Sequence, residues 1–327
     1  MQCHVLASVL ISAAALSGAE RIDNVLVKLV PRDSVSLLGV QMDQVKNTPF
    51  YKKLIAQQKL TQLDEFAAQT GFDPRRDVRE LLVASNLTKN SGVLLARGNF
   101  HVTPDALAKM KDMRRTAYKG YTLWTGTEQE SGFSILDSTL VIAGPVASMH
   151  AALDQYAARD DREQSPLLRK AMAVPMRNQI WLVSQGGSDF LANNMPDAGP
   201  VANFGHIFKN LESAQLQADL SAGLNALITG ACKTEADAKS LSDAARGLIG
   251  FGRLSVPEGQ PQLLRVWDAI QVSQQGRTLS VNADIPTELV DRLLSLMDGG
   301  TKSPNDRSSS YSSEGESHRP RSKNHPH

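Results

Sequence analysis

The chain has 327 residues, with 35 basic side chains against 34 acidic ones and a formal net charge of +1, which argues against a protein built around a phosphate backbone while leaving room for a local basic patch. Hydrophobic residues make up 41%, so the chain is not disordered throughout. Cys3 and Cys232 are the only thiols, which excludes a disulfide scaffold and a Cys-rich metal module.

Val5 to Leu16 (VLASVLISAAAL) is too short for a membrane-spanning helix, which needs about 20 apolar residues. It suits the apolar region of a secretory leader, and Ser17-Gly18-Ala19 offers a cleavage site before Glu20. The start, Met1 to His4, lacks Lys and Arg. Leu16-Ser17-Gly18-Ala19 is similar to a bacterial lipoprotein box, but Ala19 stands where the lipidated Cys belongs, so lipid anchoring is not expected. If Cys3 leaves with the leader, Cys232 remains as a buried small hydrophobe.

Beyond the leader the chain reads as two similar halves. Ser34 to Met42 is an apolar strand, followed by a helix over 49–70 with Thr48 as N-cap, Pro49 in the first turn and Gly71 as the stop. Gly71 to Asp77 (GFDPRRD) is a turn whose charges can pair locally. Glu80–Ser85 and Gly92–Phe100 form a hairpin, Thr103 opens a helix running to about Met113, and Tyr118–Thr125, Ser131–Leu136 and Thr139–Gly144 are strands before a helix capped by Ser148.

The second half repeats this order. Gln179–Ser184 is a strand, and a looser helical segment runs from Ser188 to Leu211. Ala214–Leu220 alternates apolar and polar residues as a half-buried strand does, and Asn225–Cys232 returns. Thr234 caps a helix to about Leu248, Leu263–Ser273 is the next extended run, and Thr278–Ala283 precedes a helix at Thr287. The offset between matching positions drifts from 145 at the first strand to 131 at Thr103 and 139 at Thr139, as insertions and deletions in an old duplication would produce. A single large sheet without internal symmetry is the alternative.

The expected fold class is α+β, in two repeats, each a mainly antiparallel sheet with helices on one face, because several connections are too short for parallel crossovers. The expected organisation is a leader at 1–19, repeats at 20–158 and 172–298, a charged linker at 159–171 and a polar tail at 299–327. Trp124, Trp181 and Trp267 are read as core anchors, with ligand stacking as the alternative.

Motifs for metal proteases, phosphate loops, dinucleotide folds and serine-hydrolase elbows are absent from the sequence, and so are the spaced acids of a calcium loop. No catalytic, cofactor-binding or metal residue is therefore assigned. The tail histidines are read as solvated rather than as metal ligands. His150 and Asp154, four apart on one helix face, are read as a surface pair rather than an acid–base couple. The candidate binding surface is Arg75 and Arg76, as a recognition loop, with Gly186, Gly187 and Ser188, whose amides can cradle an anion after a strand.

The segments VPRDSVSLLGV, TGFDPRRDVRELLVAS, YKGYTLWTG and STLVIAGPVASMHAALDQY resemble uncharacterised exported proteins of Gram-negative bacteria. The resemblance covers most of Val30 to Tyr156 and, more faintly, Pro175 to Met297. It implies an exported, non-enzymatic α+β protein and supplies no functional residues. The sequence thus points to a periplasmic or secreted binding or structural protein that meets a protein or envelope component, with no nucleic-acid partner, no transmembrane span and no cofactor. Two other functions stay open: a hydrolase with residues dispersed along the chain, favoured by a pocket holding a perturbed His, Asp or Ser, and a carrier of apolar ligands, favoured by a large apolar cavity between sheet and helices.

Overall fold

A computed structural model describes residues 21–57, 61–86, 89, 91–102, 113–126, 130–158, 165–186 and 209–299. The expected leader, the first part of the linker, the helix at Thr103, Gly187, Ser188 and the tail lie outside these residues. The protein is α+β, and its strands form one sheet. They are β1 (Ser36–Val40), β2 (Val78–Asn86), β3 (Ser91–Gly98), β4 (Met113–Tyr118), β5 (Tyr121–Gly126), β6 (Ser131–Asp137), β7 (Leu140–Pro145), β8 (Ile180–Gln185), β9 (Leu211–Asp219), β10 (Leu224–Cys232), β11 (Ile270–Gln275) and β12 (Thr278–Ile285). Their spatial order is β11-β12-β10-β9-β8-β1-β2-β3-β7-β6-β5-β4, with every neighbouring pair antiparallel. The expected short connections explain this: most strands turn back on the strand before them.

Several local expectations change. Tyr118–Thr125 is not one strand. Lys119 (φ 48°) and Gly120 (φ 86°) turn the chain back so that Tyr118 faces Tyr121, a two-residue hairpin that joins β4 to β5. Leu263–Ser273 begins as a helix, because Leu263, Val266 and Trp267 recur at helical spacing. The helix expected over 49–70 is two helices.

Helices cover the sheet unequally. On one face of the first half lie α1 (Asn24–Leu29), α6 (Val146–Ala157) and α7 (Pro166–Met172). They bury Leu26, Leu29, Met149, Leu153, Leu167 and Leu168 against Leu37, Leu82, Leu95, Ile142 and Val183. Helix α7 occupies the second part of the expected linker, and its Leu167, Leu168 and Ala171 belong to this core. The opposite face of the same half carries α2 (Met42–Val45), α3 (Pro49–Gln57), α4 (Thr61–Thr70) and α5 (Pro74–Asp77). The second half packs α8 (Glu235–Leu254), α9 (Gln262–Asp268) and α10 (Thr287–Gly299) on that same opposite face. The expectation of helices on one face therefore fails for the first half. The reason is visible in β2 and β3, where Leu81-Leu82-Val83-Ala84 and Val93-Leu94-Leu95-Ala96 are apolar on both sides of the pleat and need cover on both. The alternation expected in β9 has the other consequence: Gln215, Gln217, Thr229, Ser280 and Asn282 share one side, and among the described residues that side carries none of the second half's core clusters.

On the shared face, strand register aligns two apolar rows. Tracing paired residues across the sheet gives Phe133, Ala143, Leu94, Val83, Leu38, Leu182, Leu216, Ile228, Val281 and Val272. The row beside it is Ile135, Val141, Ala96, Leu81, Val40, Ile180, Ala218, Ala226, Ala283 and Ile270.

The two halves meet where β1 pairs with β8. Gly39 faces Trp181 there, and a Cβ on Gly39 would collide with the indole ring. Trp181 is fully buried, with the Arg21 guanidinium 5.4 Å from its ring centroid. A glycine is thus required by close packing rather than by a turn. Gly39→Ala is expected to destabilise the protein by about 1–3 kcal/mol in urea unfolding, and Trp181→Leu to offset part of that loss in the double variant. Simple additivity of the two changes would contradict the collision.

Candidate apolar binding cleft

Beneath α2–α5 lies a cleft of about 570 Å³. Its roof is Met42, Tyr51, Ile55, Leu63, Phe72, Pro74 and Arg75, and its floor is Val78, Leu81, Leu94, Ala96, Phe133, Ile135 and Val141. Phe100 and Val102 line it as well, and Phe72 packs on Phe100 with ring centroids 5.2 Å apart. The volume falls within the range typical of small-molecule sites, roughly 300–1,000 Å³.

The roof is held by charge and by packing. Asp73 caps α5 by accepting the Arg75 backbone N–H at 2.9 Å, and the Arg75 side chain donates Nε to Asp73 Oδ1 and Nη2 to Asp73 Oδ2, both at 2.9 Å. Nη2 also lies 2.8 Å from Asp64 of α4, so Arg75 ties the end of the roof to its middle. The Arg75 hydrogen bond holds the Asp73 carboxyl below the usual carboxylate range. Lys46 donates to the Arg76 and Val78 carbonyls, stitching the end of α2 to the start of β2. Across the seam, Phe50 and Leu54 of α3 pack with Leu289, Val290 and Leu294 of α10, and Lys53 pairs with Asp291.

Chemically the cleft is almost bare. Among the described residues, Tyr51 and Arg75 supply its only polar side chains, and the lining contains no His, Cys, Ser, Asp or Glu. Burial, then the Asp73 carboxylate, push the Tyr51 hydroxyl up, so it stays a neutral donor. The Arg75 charge is already matched by two carboxylates. Such a lining can exclude water and hold carbon; it offers no nucleophile and no base.

The residues expected from the sequence are dispersed. Arg75 is at the cleft. Arg76 is exposed and pairs with Asp77 through Nε at 2.6 Å. Gly186 sits at the end of β8, at the opposite strand ends from Val78, and its amide donates to the Glu212 carbonyl at 3.0 Å rather than standing open for an anion. His150 and Asp154 are joined by a residue the sequence did not supply: Tyr118 stacks on the imidazole at 3.6 Å and donates its hydroxyl to Asp154 at 2.8 Å, while Lys119 pairs with the same carboxylate at 2.7 Å. Cys232 is buried, as expected, and burial pushes its thiol up, away from a reactive thiolate. Trp124 and Trp181 are buried in the core, and Trp267 packs beside Gly252.

The sequence reading missed the cleft itself. Its signal was the two-sided apolar runs of β2 and β3, which require two layers of cover.

A cluster of buried charge lies elsewhere, on the sheet face opposite the cleft. Arg21 donates to the Asn178 carbonyl at 2.5 Å, Arg97 donates to Asp23 at 3.0 Å and to Thr139 Oγ1 at 2.7 Å, and Glu80 accepts the Asp23 backbone N–H at 3.3 Å. Burial pushes the Glu80 carboxyl up to about 7 and the Arg21 guanidinium down to about 10. This network pins the segment from Arg21 to Asp23 onto the sheet and lines neither cleft nor hollow. Among the described residues no group of three potential metal ligands occurs, and no helix is long and apolar enough to cross a membrane.

No protein-family model matches the chain, and no curated protein matches it. Its fold is similar to solved structures of TP0453. Crystal form I is 13% identical, with 85% of this chain and 97% of that chain covered at a TM-score of 0.45. Crystal form III is 12% identical, with coverage of 84% and 97% and a TM-score of 0.48.

Because Glu80 holds its proton more tightly folded than unfolded, its own contribution to stability is full below pH 4.5 and is lost as the pH rises to about 7, by on the order of 2–3 kcal/mol in all. Glu80→Gln is expected to flatten this slope in unfolding experiments run from pH 4 to pH 8. An unchanged slope would assign the effect to other groups.

Proposed function

We propose that the protein is an exported, non-catalytic binding protein that holds an apolar ligand in the cleft between its sheet and α2–α5. The observation that carries this reading is the almost wholly apolar lining that the described residues give a cleft of about 570 Å³. A hydrolase draws less support: the strongly perturbed carboxyl, Glu80, lies on the other face of the sheet from the cleft and is not among its lining residues. Export rests on the leader-like start and on the resemblance to exported proteins, and a periplasmic or secreted location follows from it.

Duplication is part of the same reading. From the β1–β8 seam the sheet order runs outward as β1-β2-β3-β7-β6 on one side and β8-β9-β10-β12-β11 on the other. The central apolar row matches Leu38 with Leu182, Val83 with Leu216, Leu94 with Ile228, Ala143 with Val281 and Phe133 with Val272, at offsets of 144, 133, 134, 138 and 139. These track the drift from 145 through 131 to 139 in the sequence. Two diverged copies, one of which gained a second layer of helices and an internal cleft, account for both series.

Ala96 is 4% exposed and lines the cleft floor, so a larger side chain there fills space that a ligand would use. Ala96→Leu is expected to raise stability by about 0.5–2 kcal/mol while weakening binding of a straight-chain alkyl phosphocholine at least tenfold by calorimetry. Opposite signs for stability and binding separate a filled cleft from a damaged fold. Unchanged binding with raised stability would place the ligand elsewhere.

A further inference from the structure

The cleft is one end of a longer apolar surface. Its floor uses Phe133 and Leu94 of the central row and stops at β2 and β3. The row continues without a polar residue through Val83, Leu38, Leu182 and Leu216 to Ile228. Those first four side chains are only half-buried among the described residues. Leu94 and Ile228, at its two sides, are 37% and 42% exposed. A soluble sheet normally either alternates polar groups onto such a face or covers it, and here two adjacent rows are carbon from β6 to β11.

The dimensions select the occupant. Strands lie about 4.8 Å apart, so Phe133 to Leu94 spans roughly 10 Å and Phe133 to Leu182 roughly 24 Å. One acyl tail occupies half of a bilayer's hydrocarbon core, about 15 Å. A tail of that length that starts over Phe133 therefore overruns the cleft and ends near Val83, roughly 14 Å away, and a longer unbranched tail reaches Leu38, roughly 19 Å away. The track is straight because its residues are register partners, which suits an unbranched chain better than a bulky polycyclic ligand. Among the described lining residues Arg75 is the one cation, and it already serves Asp73 and Asp64, so they do not favour a charged head.

Building on the binding function proposed above, we infer that the ligand is a long, unbranched alkyl or acyl chain that runs from the cleft along the central apolar row onto the β1–β8 seam. The headgroup is neutral or zwitterionic and stays in water.

The test uses the full chain and single-chain phosphocholines with saturated tails of 8 to 16 carbons, titrated below their micellar concentrations by calorimetry. Affinity is expected to rise about fourfold per added methylene through the longest tail. Val83→Thr combined with Leu38→Thr places hydroxyls on the track with β-branched, strand-compatible side chains. This variant is expected to bind the 8-carbon probe within twofold of the original protein and the 16-carbon probe at least tenfold more weakly. Affinity that levels off near 10 carbons, or equal effects of the variant on short and long probes, would overturn the track and leave the cleft as a short-chain site. Failure of the unaltered protein to bind any tail length would overturn the binding function itself.

Discussion

The sheet's two halves are hydrogen-bonded to each other through a single five-residue strand. β1 pairs with β8 from Ser36↔Ser184 to Val40↔Ile180, and everything beyond that seam on either side takes its position from it. Because side chains alternate, a slip of β1 by one residue would put Leu38 into the α1–α6 core and Leu37 onto the opposite face. Gly39 and Trp181 oppose that slip, since the indole fits only where its partner has no side chain. The buried Arg21 guanidinium adds to this specification. It lies against the indole and donates to the carbonyl of Asn178, two residues before β8. A close-packed aromatic and a hydrogen-bonded charge thus set the register on which the rows of the opposite face depend.

Much of this fold was legible in the sequence because its signals are local. Alternation in β9, the hairpin of β2 and β3, and the Thr234 cap with Asp237 three residues on depend on nearest neighbours and emerged close to where they were expected. The Lys119-Gly120 turn was local too, but the apolar residues around it masked it as one strand. What was not legible is long-range. No local pattern says that β1 will pair with β8, 144 positions away at Leu38, and only that pairing turns two sheets into one. The cleft belongs to the same class. Met42 and Tyr51 meet Val141 and Phe133 only after the sheet has formed, so no spacing motif marks them.

The candidate site residues illustrate the difference. Arg75 stood out in sequence because charges alternate in the turn around it, and the structure uses that alternation locally: Asp73 caps, Arg75 clamps, Asp77 accepts the Asp73 amide at 2.9 Å. Its place at the cleft follows from that structural job, which holds α4 and α5 over the floor. Gly186 stood out for its glycine neighbour, and its amide is consumed in the sheet's own hydrogen bonding. Polar motifs drew attention in the sequence, whereas the site that formed is defined by where polar groups are missing.

A cleft lined by carbon is costly to keep, because simple growth of side chains such as Ala96 would add dispersion contacts within it. The roof is nonetheless well tied: Arg75 bridges two roof segments, Lys46 fastens α2, and α3 leans on α10 from the other half. These ties hold the roof over Leu81 and Leu94 by charge and by packing from the other half, not by apolar collapse alone. The second half of the sheet makes the contrast. There α8 and α10 sit on Leu279 and Ile285 directly, while Ile228 between them stays exposed. Within one sheet, then, the same apolar face is covered by direct helix packing on one side of the seam and lines a cleft on the other, and the polar ties of Arg75 and Lys46 sit at the cleft.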